Sequence, residues 1–194
     1  MALSKIDAAN FLTGTIPQGN VANSSLGAVT ALPGAIATGK VLQVLSTAKT
    51  GGFSTTSSSL TDLTGLSVAI TPSSSSNKIF ITAYINGLVD ASSGAYGGRY
   101  QLVRGSTEIA KADASGSKQL GTGSPGGRDG GPFTANTTIN FLDSPSSTSE
   151  LTYKIQLAHT QSKTIRVNEA DGNPNDSTYG LKMISTITAY EIAG

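Results

Sequence analysis

Short apolar runs separated by turn-forming residues recur along the chain from Gly39 onward. The clearest run spans 78–86 and alternates strictly. One face of it carries Ile79, Ile81, Ala83 and Ile85, and the other carries Phe80, Thr82, Tyr84 and Asn86. A period of two, rich in β-branched and aromatic residues, is typical of a β-strand. The preceding segment, 71–77, is rich in Pro, Ser and Asn, which favour a turn.

The same pattern predicts about eight to ten strands and no helix of convincing period. The predicted strands are 40–46, 66–71, 78–86, 99–104, 108–110, 137–143, 151–160, 163–168 and 183–192. Many short strands with Gly- and Ser-rich turns indicate a sandwich or barrel. We therefore predict an all-β fold, with an antiparallel, jelly-roll-like β-sandwich head over residues 39–194.

Residues 1–38 differ from the head because their apolar residues are isolated among small polar ones. These residues are Ile16, Val21, Leu26, Val29 and Leu32. Apolar residues spaced so widely cannot bury one another, yet a purely solvated linker would contain fewer of them. We expect an extended N-terminal arm that orders against a partner, with these five residues as the docking contacts.

Two strands carry apolar residues on both faces. Phe80 and Tyr84 lie opposite the Ile/Ala face of 78–86, and Tyr190 lies in the last strand. A sheet with one solvated side would show a cleaner alternation. We expect the second face to be covered by another part of the fold or by another subunit, with Phe80, Tyr84 and Tyr190 at a subunit interface.

A long Gly-rich segment, 112–132, interrupts the strands and is expected to form an exposed loop. Part of it, 121–126, matches the spacing GxGxxG. A dinucleotide site needs that motif between a strand and a helix, and no helical pattern follows it here. We therefore reject a nucleotide-binding interpretation.

Composition narrows the function classes further. Charged residues make up 13% of the 194-residue chain and the net charge is +1, against a usual charged share of about a quarter. The surface must be neutral and rich in hydroxyl groups, so a nucleic-acid partner, which needs a concentrated basic face, is not expected. The chain contains no cysteine, which excludes disulfides and thiolate metal sites. No signal-peptide pattern and no apolar run of transmembrane length occur, so we expect no membrane insertion.

Candidate catalytic and metal-binding groups are sparse. His159 is the only histidine and continues one face of a predicted strand, which favours a packed residue over a catalytic base. No GxSxG motif accompanies it, and the acids give no pairing cue for a glycosidase. Residues 171–176 begin like a calcium loop but lack the Gly and Glu of an EF-hand, so a polar turn is favoured and a weak cation site stays open. We predict no enzyme, no cofactor and no catalytic or metal-binding residue.

Several segments, taken in order, resemble virion structural proteins of tailed bacteriophages, including tail-fibre proteins. The segments are 39–44, 63–73, 100–105, 141–145, 153–156 and 185–192, with a looser likeness in the N-terminal arm. The resemblance implies a trimeric, jelly-roll-like β-sandwich on the virion surface. It brings no catalytic residues.

We therefore expect a homotrimeric short fibre or spike, made in the host cytoplasm and docked to the particle by its arm. The head would be exposed toward the host surface, where a glycan is a candidate contact. The alternative is a capsid decoration (cement) protein that stabilises the shell. A secreted carbohydrate-binding module is a weaker alternative, because the chain has no Trp and only 6% aromatic residues.

Overall fold

The computed structural model describes residues 39–90, 97–127, 135–159, 163–169 and 180–194. Within these ranges the secondary structure is all β, with no helix. The strands are β1 (Val41–Lys49), β2 (Phe53–Thr55), β3 (Thr61–Ile70), β4 (Lys78–Asp90), β5 (Gly98–Arg104), β6 (Thr107–Ile109), β7 (Gly126–Gly127), β8 (Ala135–Asp143), β9 (Leu151–His159), β10 (Thr164–Val167) and β11 (Ser185–Ile192). All nine predicted segments contain a strand, whereas the short strands β2 and β7 were not predicted.

Strand β4 is the centre of the larger sheet. Gly87 pairs with Val167 of β10 on one side and with Ala135 of β8 on the other. β11 pairs with the first half of β4 and lies on the β10 side, and β1 and β2 continue outward from β11 and β10. This sheet is therefore about four strands wide, and its long pairings are antiparallel. The short pairing of β7 with β4 is parallel.

The second sheet contains β3, β9, β5 and β6 in that order, all antiparallel. β3 begins five residues earlier than predicted, at Thr61 rather than 66. Its register against β9 shifts between Asp62 and Ser67, and Gly65 in this bulge has a φ of 83°. Only Gly adopts that conformation readily, so Gly65 allows β3 to continue through the bulge, in a region that the prediction left outside the strand.

The two sheets pack face to face around one core, which confirms the antiparallel β-sandwich. β4 contributes its predicted inner face, and Ile79, Ile81 and Ile85 are fully buried. The second sheet contributes side chains from its own inner face, including Tyr153, Ile155 and Leu157. Alternation along each strand thus places one face of each sheet in the core.

A polar tie also crosses between the sheets. Asp143 on β8 accepts hydrogen bonds from Arg104 Nη1 at 2.6 Å and from Tyr153 OH at 2.7 Å, both on the second sheet. Burial, together with the hydrogen bond to Asp143, raises the pKa of Tyr153. The tie satisfies a carboxylate that is only 7% exposed, as a buried charge requires.

The Gly-rich segment divides into two parts. Residues 111–119 are exposed, as predicted for the loop. The prediction is wrong for 120–127, because Gly123 forms a bridge with Tyr100 and Pro125 is buried. Thr122 Oγ1 also accepts a hydrogen bond from the Leu102 backbone N–H at 2.9 Å. The second part thus pairs with β5 near Tyr100 and with β4 through β7, and 128–132 lie outside the described residues.

The start of the head and its C-terminus meet at one end of the sandwich. The backbone N–H of Ala193 donates to the Lys40 carbonyl at 2.9 Å, and the N–H of Gly194 donates to Asn77 Oδ1 at 3.1 Å. We call this the entry end, because the chain enters β1 there. The end of β4, the start of β5 and the end of β9 lie at the opposite end.

Candidate subunit interface

The outer face of the larger sheet carries one line of large apolar side chains. Val44, Tyr190, Phe80 and Leu142 lie directly opposite one another on β1, β11, β4 and β8. We call these four residues the apolar row. Their neighbours along β4, Ile79 and Ile81, point into the core, so the row faces away from it. The strand pattern alone predicted Phe80 and Tyr190 here.

The row is apolar at its two ends and aromatic in its middle. Val44 and Leu142 are 51% and 48% exposed. Phe80 and Tyr190 are half-buried, and their ring centroids are 6.0 Å apart with the planes tilted by 40°. A cross-strand aromatic pair contributes about 0.2–1 kcal/mol to a sheet. The pair therefore supports the sheet while the ends of the row remain open to solvent.

On the side away from the entry end, the next two rows are polar but uncharged, whereas the row on the entry side consists of Val41, Ile192 and the exposed Lys78. Ser46, Thr188, Thr82 and Asn140 form the first of the two polar rows, and Ala48, Thr186, Tyr84 and Thr138 form the second. A hydrogen bond of 2.8 Å joins the hydroxyl groups of Ser46 and Thr188. The apolar row and these two polar rows hold no Asp, Glu, Lys or Arg. The electrostatic character of these three rows is neutral, as the composition indicated.

Tyr84 is separated from the other two aromatic residues that were expected at an interface. It is 40% exposed on the same face, but it lies four residues along β4 from Phe80, roughly 13 Å away. The structure therefore brings Phe80 and Tyr190 together and leaves Tyr84 two rows distant. The outer face is thus apolar in the apolar row and in the Val41–Ile192 pair beside it, whereas the row between Phe80 and Tyr84 carries hydroxyl and amide side chains.

Strand β1 forms an uncovered edge beside the apolar row. It ends the strand order of its sheet, and β11 is its only strand partner among the described residues. Besides Val44, its Val41, Leu42 and Leu45 are 48%, 42% and 40% exposed. Proteins usually protect such edges with charges, Pro or bulges. β1 has a bulge near Val41, and its single charged residue, Lys49, stands at its end.

Val44 and Leu142 were not predicted as interface residues. The signal for Leu142 was present, because it alternates with Phe141 and Asp143 in a predicted strand. Because Phe141 and Leu142 are both apolar, the sequence did not show which of them faces outward. Val44 lies in the run LQVL, whose pattern is compatible with either face of the strand pointing into the core. Only the pairing of β1 with β11 assigns Val44 to the outer face.

A buried carboxylate lies behind the same corner of the sheet, at the entry end. Glu191 is 1% exposed and accepts hydrogen bonds from the Ser73 N–H at 2.6 Å, the Ser73 hydroxyl at 2.7 Å and Gln43 Nε2 at 2.6 Å. Asn77 Nδ2 is a further donor. Burial alone would raise the pKa of Glu191, but the bonds from Ser73, Asn77 and Gln43 outweigh it and lower that pKa to about 2. The carboxylate thus joins β1, the 71–77 turn and β11.

The weaker candidates for chemistry have structural positions where they are described. His159 is fully buried, and its Nδ1 accepts a hydrogen bond from the Lys163 backbone N–H at 3.0 Å. Burial, and then the nearby charge of Lys163, lower the pKa of His159. Gly123, within the GxGxxG spacing, pairs with Tyr100 of β5, and no helix of the described chain follows it.

Several predicted sites fall outside the described residues. They are the docking residues Ile16, Val21, Leu26, Val29 and Leu32, and the calcium-like segment 171–176. Among the residues that are described, no group of three or more His, Cys, Asp or Glu side chains could hold a metal ion. No helix in this part of the chain is long and apolar enough to span a membrane.

No protein-family model matches the chain, and no curated protein matches it in sequence.

Proposed function

We propose that this chain is a structural subunit of a bacteriophage virion, a surface-exposed homotrimeric short fibre or spike. The observation that carries the proposal is the outer face of the larger sheet, with its apolar row, a single Lys in the rows beside it and a β1 edge that no second strand of the described residues covers. Exposed apolar surface of this kind is typical of proteins that assemble. The ordered resemblance of the strand segments to phage structural proteins gives the assembly its class, although fold and function are separable.

The polar ties support a structural role for the head. The Asp143–Arg104–Tyr153 contact joins the two sheets, and the Glu191 cluster closes the entry end. Networks whose members are satisfied stabilise one arrangement of the core. A head built in this way can serve as a rigid module on a particle. Such a role needs no catalytic groups.

In this proposal the arm, 1–38, attaches the head to the particle. Its five docking residues are Ile16, Val21, Leu26, Val29 and Leu32, and each buried Ile, Val or Leu contributes about 1.5–3 kcal/mol. Three copies of the arm in one trimer would bind together, so their combined attachment would exceed that of a single arm. The head would then project from its entry end, leaving the opposite end toward the host surface.

Particle location tests the proposal. Particles of the phage that encodes this chain are purified, and the protein is located with a labelled antibody in the electron microscope. We expect label at the tail. Label at icosahedral capsid positions would assign the chain to the alternative, a decoration protein. Absence of the protein from purified particles would refute a virion role altogether.

Add-back to particles that lack this protein tests the arm. Full-length chain and a chain without residues 1–38 are added at equal concentration, and bound protein is measured after sedimentation. We expect only the full-length chain to remain bound. Equal binding of both would show that the head itself carries the attachment surface.

A further inference from the structure

We propose that the apolar row is the surface on which a second copy of this chain packs, and that the β1 edge of that copy is what covers it. The number of copies, three, rests on the proposed function. The β1 edge is defined here by Val41, Leu42 and Leu45, and the apolar row by Val44, Tyr190, Phe80 and Leu142.

Among the described residues, both features are open to solvent and meet at one corner of the head. The β1 edge lies at one end of the strand order, and the apolar row begins on β1 and crosses the sheet to β8. Their aliphatic side chains are 40–51% exposed. An antiparallel sheet whose outer face meets only water would be expected to carry polar residues at outward positions such as Val44 and Leu142.

The chemistry of these two surfaces limits what could cover them. Nucleic acid or an anionic surface requires a cluster of Lys or Arg, whereas the apolar row and the two rows beyond it contain neither, and the entry-side row of Val41, Ile192 and Lys78 contains one Lys. A sugar ring stacks on an open aromatic face, but Phe80 and Tyr190 are half-buried and tilted by 40° against each other. The matching occupant is a neutral, apolar protein surface. A partner with a strong net charge would gain nothing from this face.

The chain itself offers such a surface in its β1 edge. The β1 edge is apolar on both faces and carries no charge between Val41 and Ala48. Its outer backbone edge pairs with no other strand of the described residues. Placed against the apolar row of a neighbouring copy, it would be covered while it covers the row. A contact between two different patches of one chain is a head-to-tail contact, and such contacts close into rings when the rotation fits. In a three-membered ring, the apolar row and the β1 edge of every copy would each be covered by a neighbouring copy.

This arrangement also makes a distinction within the outer face. Tyr84 is exposed on the same sheet, but a row of hydroxyl and amide side chains separates it from Phe80. The interface is therefore centred on Phe80 and Tyr190, and Tyr84 lies at its rim or outside it. Rim residues contribute little to affinity compared with residues at the centre of an interface.

The test is the oligomeric state of the full-length chain and its variants in solution. Light scattering after size exclusion should give three times the chain mass of 19.6 kDa for the wild type at micromolar concentration. Leu142→Lys and Val44→Lys place a charge at either end of the row. Each should weaken association at least about tenfold, equivalent to about 1.4 kcal/mol.

Two variants serve as matched controls. Leu181→Lys makes the same change at a residue that is 52% exposed but outside the row, and Tyr84→Lys adds a charge two rows away. Both should remain trimeric. A monomeric wild type would overturn the proposal, as would Leu142→Lys and Val44→Lys variants that stay trimeric. Equal dissociation of Leu181→Lys would also overturn it, because the effect would then be one of charge alone.

A second measurement keeps the test valid if a lysine variant fails to fold. Because the chain has no cysteine, Leu142→Cys and Leu181→Cys each provide one thiol whose alkylation rate can be followed. Alkylation of the Leu142→Cys thiol should slow as protein concentration rises through the association range, and that of Leu181→Cys should not. Equal rates at all concentrations would refute a covered row. Particle binding is scored separately, so loss of the trimer and absence from the virion can be told apart.

Discussion

The substitution Glu191→Gln tests how the entry end of the head is held together. Glu191 is buried without a cationic partner among its hydrogen-bond contacts, which are Ser73, Asn77 and Gln43. All of these groups donate. Glutamine has the same shape, but its amide N–H₂ would face donors and leave at least one buried group unpaired.

The magnitude follows from the pKa of Glu191, which falls from an ordinary value of 4.5 to about 2 in the folded protein. At 1.36 kcal/mol per pKa unit, ionised Glu191 contributes about 3 kcal/mol to folding at neutral pH. Because the folded pKa is the lower one, this contribution is complete above pH 4.5 and is lost as the pH falls toward about 2. The wild type should therefore lose stability over that window, and Glu191→Gln should lack this part of the pH dependence.

Urea unfolding of both proteins between pH 7 and pH 2 measures the difference. We expect Glu191→Gln to be about 3 kcal/mol less stable at pH 7, with the gap narrowing as the pH approaches 2. Glu150→Gln is the matched control because Glu150 is exposed, and it should change stability by less than about 0.5 kcal/mol. A Glu191→Gln variant within about 1 kcal/mol of wild type at pH 7 would refute the reasoning. A gap that stays constant down to the lowest pH would refute it equally.

Two further predictions concern the Gly-rich segment and the junction of β10 with β11. Replacing 112–118 with a short Gly/Ser linker should change thermal stability by less than about 1 kcal/mol, because these residues are exposed. Thr122→Ala removes the acceptor for the Leu102 N–H and should cost about 1–2 kcal/mol. A larger loss from the linker than from Thr122→Ala would contradict the division of this segment into an exposed part and a paired part. Asn168 has a φ of 63° and binds the carbonyl of Lys49 and the hydroxyl of Ser185. Asn168→Ala should therefore cost about 2–3 kcal/mol in denaturant unfolding, and Asn168→Gly less than Asn168→Ala because Gly adopts that φ without strain. An alanine variant as stable as the glycine one would show that the backbone conformation is not strained.

The alternation of apolar and polar residues was enough to predict most strands and the all-β class. In β4, the buried set Ile79, Ile81, Ala83 and Ile85 is the one the sequence indicated. The reason is local, because successive side chains of a strand point to opposite faces whatever the strand pairs with. The same local logic failed where the chain departs from regular strand geometry, as at Gly65 in β3, and where strands are too short to show a period, as in β2 and β7.

The candidate interface was only partly within reach of such local reasoning. Phe80 and Tyr190 could be identified as outward residues of their own strands, but nothing in the sequence places them side by side. Val44 joins them because β1 pairs with β11, a segment at the other end of the head. The same pairing brings Gln43 to Glu191, where it donates one of the hydrogen bonds that compensate for burying the carboxylate.

What the sequence by itself determined was therefore the alternation of side chains along each clearly patterned strand, the low charge of the chain and the absence of thiol chemistry. What only the tertiary structure decided was which strands are neighbours and in which register. Strand pairing joins segments that are far apart in the chain, and a shift of one residue would turn every side chain of β1 to the other face. The apolar row exists because four strands meet in one register, and that is a property of the folded sheet.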